Sequence, residues 1–185
     1  MHQTDLFMAV IDVFTYIHGD FDTVQATLKT QFPTAAIYNA EGKLVNDSYK
    51  RTAPDHILVQ GSLASGAVGS LILRKAQDPV DGLGLRWLIT GTRGEIEITC
   101  PEQHYSVGPP GRTLRLKIGK GETQDIDFSG PAGVFDPKWD YNSHNVALQY
   151  DAFAEGDTDR YATFESALKT RHLMDEIVEK SAFKV

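Results

Sequence analysis

The strongest constraint on the fold of this chain is a succession of period-two segments joined by connections too short for a crossover. Ile57, Val59 and Leu63 alternate with polar residues, Ser65-Gly66 marks a turn, and Ala67 to Arg74 continues as a second strand. Leu85, Trp87 and Ile89 then alternate with Arg86, Leu88 and Thr90, and after Gly91 to Gly94 the run Glu95 to Cys100 repeats the period. Leu114, Leu116 and Ile118 follow, and beyond Gly119 to Gly121 the segment Ile126 to Phe128 closes the strand-rich stretch. Successive side chains of a strand point to opposite faces, so each alternation predicts a strand with one apolar face. Parallel neighbours need crossovers of roughly a dozen residues, so these short connections predict largely antiparallel pairing.

Helices flank this stretch. From Asp5 to Ile17 the apolar residues Phe7, Val10, Phe14 and Ile17 recur at helical spacing, and Gly19 supplies a stop. Thr23 to Thr30 alternates again through Val24, Ala26 and Leu28, Gln31-Phe32-Pro33 breaks the pattern, and a short apolar Ala35 to Tyr38 follows. Residues 39–54 are polar and read as loop, and Gly130 to Tyr141 has no period and reads as an irregular loop. Two further helices are predicted over Asn145 to Ala154 and Phe164 to Ser181. A helix, many strands and then helices predict an α+β fold with a large, mainly antiparallel sheet and helices packed on one face. With 185 residues, 41% of them hydrophobic, one domain spanning 1–185 is the expectation.

Composition narrows the partners. Lys and Arg number 18 against 25 Asp and Glu, a formal charge of -7 with the basic residues scattered, so no nucleic-acid surface is expected. Apolar runs such as Phe7 to Val13 fall short of the roughly 20 residues that cross a bilayer, so no membrane association is expected. The first residues lack the pattern of a secretory signal, and a cytoplasmic location follows as the expectation. The single cysteine, Cys100, sits in an alternating segment and is expected to be a buried, inert thiol. His144 and His172 have no second ligand at metal-binding spacing, so no metal is assigned.

Two stretches are more specific than these patterns. One is Asp5-Leu-Phe-Met-Ala-Val-Ile-Asp12 with Tyr16 and Gly19 after it; the other is Asn145-Val-Ala-Leu-Gln-Tyr-Asp-Ala-Phe-Ala-Glu-Gly156, followed by Thr163-Phe-Glu-Ser-Ala-Leu-Lys-Thr-Arg-His-Leu-Met-Asp-Glu-Ile177. Together with His56-Ile-Leu-Val-Gln-Gly-Ser-Leu63, Gly66-Ala-Val68 and Trp87-Leu-Ile-Thr-Gly-Thr-Arg-Gly-Glu-Ile96, they resemble the C-terminal domain of the glucose-fructose oxidoreductase/inositol dehydrogenase (Gfo/Idh/MocA) family. The similarity is to the branch that includes fungal oxidoreductases and galactose-pathway repressors, and it covers nearly the whole chain.

The resemblance also defines what is missing. Members of that family carry a Rossmann domain of roughly 120 residues ahead of this one, with the dinucleotide on a glycine-rich turn. Here Gly82-Leu-Gly84 precedes a predicted strand instead of a helix, and the family's Glu-Lys-Pro lysine belongs to the other half. The family's first helix typically reads Asp-x-Gly-x-His-x-x-Asp, its histidine beside the substrate hydroxyl. Asp5, Phe7, Ala9 and Asp12 occupy those places, so the resemblance implies a pocket that is more apolar and has lost its imidazole. Alanine cannot transfer a proton. No cofactor is therefore expected.

These residues yield the candidate site. Asp5 is a substrate contact or general base in one reading and a first-turn carboxylate complementing the helix dipole in the other. Phe7, Met8 and Tyr16 line an apolar substrate cavity in one reading and fill the core in the other, and Asp12 either contacts the ligand or anchors the fold through backbone hydrogen bonds. Trp87 on a strand, and Phe135, Trp139 and Tyr141 in the irregular loop, are the aromatic candidates for ligand contact. The leading expectation is a cofactor-independent protein holding a small organic ligand, in the manner of a non-redox isomerase, lyase or cyclase of secondary metabolism. A regulatory or oligomerising module and a C-terminal piece of an NAD(P)-dependent oxidoreductase are the alternatives. The resemblance further implies a homodimer through the sheet face, although Glu95, Glu97, Arg115 and Lys117 would wet part of that face.

Overall fold

The computed structural model describes residues 3–75, 79–101, 111–128 and 141–183. Its elements run α1 (Gln3–His18), β1 (Gln25–Lys29), β2 (Thr34–Tyr38), β3 (Leu44–Lys50), β4 (His56–Ser62), β5 (Val68–Arg74), β6 (Leu85–Gly91), β7 (Gly94–Cys100), β8 (Thr113–Ile118), β9 (Gln124–Asp125), α2 (Tyr141–Glu155) and α3 (Phe164–Ser181). The class is α+β, and every strand pair described is antiparallel. The expected large sheet is divided: among the described residues the strands form three sheets, β1-β4-β5, β2-β3 and β6-β7-β8-β9. The chain separates into two compact units, one made of residues 1–75 and 162–185 and the other of residues 76–161.

In the first unit the three-stranded sheet has one buried face. Ala26 of β1 faces Val59 of β4, which faces Leu71 of β5, and Leu28, Ile57 and Leu73 form the adjacent row. Ile57, Val59 and Leu71 are buried there with Phe7, Ile11 and Phe14 of α1 and Met174 and Ile177 of α3. The helix α3 packs against β1 and also meets α1. A Cβ added at Gly69 would stand 2.6 Å from Cζ of Phe14, so the α1 ring lies directly on the β5 backbone. Here the helices do cover one sheet face.

Local chemistry sets the helix ends. Gly19 has φ +86° and its amide donates to the Thr15 carbonyl at 2.8 Å, a left-handed stop that glycine adopts without a Cβ penalty. At α3 the Thr163 hydroxyl accepts from the Ser166 amide and the Ser166 hydroxyl accepts from the Thr163 amide, a reciprocal capping box that starts the helix where the sequence predicts. The core face of α1 is centred on Phe7, Ile11 and Phe14, since Val10 is half-buried and Ile17 is exposed. This rotates the helix relative to the expected Phe7, Val10, Phe14 and Ile17 face.

Two segments depart further from the sequence reading. Residues 44–50, expected as loop, form β3 and pair with β2 in an irregular hairpin whose β3 residues are all exposed. With no buried face the segment shows no alternation. In the second unit β9 is Gln124–Asp125, ahead of the predicted Ile126 to Phe128, although the Ile126 amide still bonds the Leu114 carbonyl at 2.8 Å.

The four-stranded sheet of that second unit has two chemically different faces. Trp87, Ile98 and Leu114 face one another across three strands, as do Ile89, Ile96 and Leu116, and all six are half-buried. On the other face Glu97 lies opposite Arg115, and Glu95 opposite Lys117. Cys100 is fully buried at the end of β7, as expected of an inert thiol. No helix among the described residues is long and apolar enough to cross a membrane.

Candidate functional site

The helix α1 places most of the predicted residues on one stripe. Met8, Asp12 and Tyr16 follow at four-residue intervals, with Ala9 beside them, and such positions stack on one side of a helix. Met8 is 43% and Tyr16 78% exposed, and Ala9 is exposed as well. Phe7 points the opposite way and is 1% exposed, so its place is in the core and it lines no pocket with the other three. Asp12 is used by the fold: its Oδ1 accepts from the Thr170 hydroxyl of α3 at 2.7 Å. Asp5 lies in the first turn of α1.

The remaining candidates are distributed elsewhere. Trp87 is half-buried on the apolar face of the four-stranded sheet, within the second unit. Phe135 and Trp139 lie outside the described residues. Tyr141 opens α2 instead of closing the irregular loop. An open groove of about 870 Å³ in the first unit involves none of them; it is lined by residues including Thr23, Gln25, Gln60, Gly61, Ser70 and Lys180.

A cluster missed by sequence reasoning is built around Asp55, which is fully buried. Its Oδ1 accepts from the Gln31 amide and its Oδ2 from the Phe32 amide, both at 2.8 Å, and Nδ1 of His56 stands 2.8 Å from Oδ1. Arg51 reaches within 4.0 Å of Oδ2. The Asp55 backbone is also tied at both ends, its amide to the Lys29 carbonyl and its carbonyl to the Lys75 amide, each at 3.1 Å. Burial pushes the Asp55 carboxyl up, but the His56 hydrogen bond, the two amide bonds and the His56 charge outweigh it and hold the group below the usual carboxylate range. Nearby, the Phe32 ring centre is 6.3 Å from that of His56, and Lys75 Nζ is 5.6 Å from the Phe32 centroid. A Pro-Asp pair just before an alternating strand was the available signal, but the donors from residues 31 and 32 are far away in sequence.

The acid-base resources are therefore limited in kind. Among the described residues no three His, Cys, Asp or Glu side chains form a metal-binding group. Gly82 and Gly84 lead into β6, a strand, so they present no helix N-terminus to a dinucleotide phosphate. His18 sits beside Phe14 with ring centres 4.8 Å apart, and burial lowers its pKa. The imidazole nearest the α1 stripe in sequence is thus part of an aromatic packing contact.

Known structures share this fold. The super-repressor mutant of Gal80p from Saccharomyces cerevisiae superposes with a TM-score of 0.73 at 16% identity, covering 96% of this chain and 47% of that one. Levoglucosan dehydrogenase in its apo form gives 0.66 at 20% identity, covering 95% and 47% respectively. By sequence, the galactose/lactose metabolism regulatory protein GAL80 of Kluyveromyces lactis is 34% identical over 91 residues, 48% of this chain and 20% of that protein. Dehydrogenase aclE of Aspergillus oryzae is 20% identical over 174 residues, 93% of this chain and 44% of that protein. The chain spans less than half the length of each of these relatives. The model of the Gal80p C-terminal domain matches residues 3–100, more than half of the chain, and the chain belongs to that Gal80p C-terminal-like family.

Proposed function

We propose that this chain works by binding, as a cofactor-independent regulatory or assembly module, and that the α1 stripe is its recognition surface for a small organic ligand. The observation that carries this reading is Ala9. It occupies an exposed position between Met8 and Asp12 where the resemblance calls for a histidine, and the adjoining Asp12 carboxylate is already bonded to Thr170. A surface with an aromatic, a thioether and one engaged carboxylate can hold an apolar molecule but offers no free imidazole to move a proton. The family's inclusion of both regulators and dehydrogenases is compatible with loss of chemistry and retention of recognition.

A thermal-shift screen of small organic molecules is the direct test, because a ligand that binds only the folded state raises the melting temperature. Stabilisation that is lost in Tyr16→Ala and Met8→Ala, without turnover of the ligand, is the expected result. Conversion of the ligand to an isomer, elimination product or cyclised product would replace this reading with that of a non-redox enzyme. Tight association with NAD(H) or NADP(H) in calorimetry would favour an oxidoreductase half. Sedimentation addresses the proposed homodimer through the sheet face: a species of about 20 kDa alone at micromolar concentration would remove it.

A further inference from the structure

The β2-β3 hairpin is a sheet by itself, and an isolated two-stranded ribbon is marginal in water unless further strands or a helix cover it. Its base is nonetheless held firmly. The Asp55 carboxylate accepts from the Gln31 and Phe32 amides, the Arg51 amide donates to the Pro33 carbonyl at 2.9 Å, and Thr30 Oγ1 donates to the Ala53 carbonyl at 3.3 Å. The tip is closed as well: the Asn39 amide donates to the Lys43 carbonyl, and Asn39 Oδ1 accepts from the Lys43 amide. Between base and tip the arm is open to solvent. Every β3 residue is exposed, as are Thr34, Ala36, Ile37 and Tyr38 of β2. The fold thus fixes the orientation of an arm whose apolar side chains, Ile37, Tyr38, Leu44, Val45 and Tyr49, it leaves uncovered. Fixing an element before it meets a partner lowers the cost of ordering it on binding.

The two edges of the arm differ. As β2 advances from Ala35 to Ile37 and on to Tyr38, its partner runs from Tyr49 to Asn46 and then to Leu44, so the surplus residues of both register shifts belong to β3. Bulges and charges are the devices that keep an edge strand from pairing with another chain. The strand β3 has both: it carries Asp47 and Lys50, its Ser48 amide is taken by Asn46 Oδ1 at 2.9 Å, and the Ser48 hydroxyl donates to Asp47 Oδ1 at 2.9 Å. Within Thr34–Tyr38 there is no charge, no proline and no surplus residue. Among the described residues β2 pairs with β3 alone, so its other edge meets no strand. That edge is also complementary to itself. Antiparallel pairing of two copies centred on Ala36 sets Thr34 against Tyr38 and Ala35 against Ile37 of the second copy, with Ala36 on the axis. Aromatic and β-branched residues then face each other and no like charges meet. Since Tyr49 already faces Ala35, the second copy's Ile37 extends that pair into an apolar row. Two-fold pairing of this kind closes on itself, and the blunted β3 edges stop it at four strands.

We propose that β2 pairs edge to edge with β2 of a second copy of this chain, giving a closed four-stranded sheet in the order β3-β2-β2-β3. The surface is distinct from the sheet face and from the α1 stripe, so the proposal rests on neither reading of them. The test is sedimentation of the full chain at micromolar concentration, where a dimer is expected. Ala36 is exposed, and Ala36→Lys or Ala36→Glu sets like charges opposite one another on the axis. Each is expected to weaken the dimer by roughly tenfold or more, and an equimolar mixture of the two is expected to restore it. Ser48→Lys, on the blunted strand, is expected to leave association unchanged. Oxidised Ala36→Cys is expected to run as a disulfide-linked dimer, because facing Cα atoms about 4.5–5.5 Å apart lie within disulfide reach and the native Cys100 is buried. Circular dichroism verifies the fold of each variant, and the cross-link carries the test if a charge variant unfolds. A native chain that stays monomeric overturns the proposal. So does a dimer of unchanged strength in both charge variants, which assigns association to the sheet face instead. Failure of the mixture to re-form the dimer, or of Ala36→Cys to cross-link, equally overturns it.

Discussion

The two larger sheets of the molecule dispose of their outward charges differently. On β6-β7-β8-β9 the outer face is neutralised from within: Arg115 and Arg86 both pair with Glu97, Arg86 also reaches Asp81 at 3.5 Å, and the Thr90 hydroxyl donates to Glu95 at 2.8 Å. At the edge of β1-β4-β5 the Asp55 carboxylate is buried, bonded to two backbone amides and to His56, with Arg51 at 4.0 Å. The comparison separates two uses of charge. A paired network on an exposed face keeps a sheet solvated at little energetic gain, whereas a buried carboxylate organises backbone and fixes the imidazole beside it.

The sharpest way to break this comparison is Asp55→Ala. It strips the Gln31 and Phe32 amides of their acceptor and leaves His56 unpaired, and an expected loss of about 3–5 kcal/mol should appear in chemical denaturation. The pH dependence has a definite sign. Because the folded Asp55 carboxyl lies below its ordinary value of 3.8, its stabilisation is complete above that pH and is lost as pH falls through the folded value. Acid titration of stability should therefore be flatter in Asp55→Ala than in the native chain; equal acid limbs would reassign the effect to other groups.

Gly61→Ala comes next, with an expected cost of about 1–3 kcal/mol for overpacking. Its Cβ would overlap the Thr23 carbonyl oxygen, a backbone atom with little room to retreat. Thermal denaturation reads the loss, and an unchanged midpoint would show that β1 and β4 can part without penalty. His18 should give a smaller effect: burial lowers its folded pKa, so stability is full above pH 6.5 and declines as pH falls below it. His18→Gln should remove that limb from a pH series of melting temperatures. The smallest change is expected from Glu97→Gln, below about 1 kcal/mol, because its arginine partners are substantially exposed. A loss as large as that in Asp55→Ala would erase the distinction between the two faces.

Legibility in the sequence followed burial. The strands β4 to β8 were readable because each has unlike faces, and α3 because its apolar residues, Met174 and Ile177 among them, form a buried face. The β2-β3 hairpin was hidden for the converse reason: Leu44, Val45 and Tyr49 are all exposed along with their polar neighbours, so there was no alternation to detect. The candidate site was legible in part. The stripe of Met8, Asp12 and Tyr16 follows from helical spacing alone, but the inward turn of Phe7 depends on which face the sheet claims. Asp55 was illegible because Pro54 and Asp55 read as an ordinary turn, and only the fold brings the amides of residues 31 and 32 to its oxygens.

The missing side chain at Gly69 carries a mechanical consequence. With the Phe14 ring seated on bare main chain, the height of α1 above the strands is gauged by a hydrogen atom. Any heavier residue there would act as a shim, lifting Met8, Ala9, Asp12 and Tyr16 together and carrying Asp12 away from Thr170.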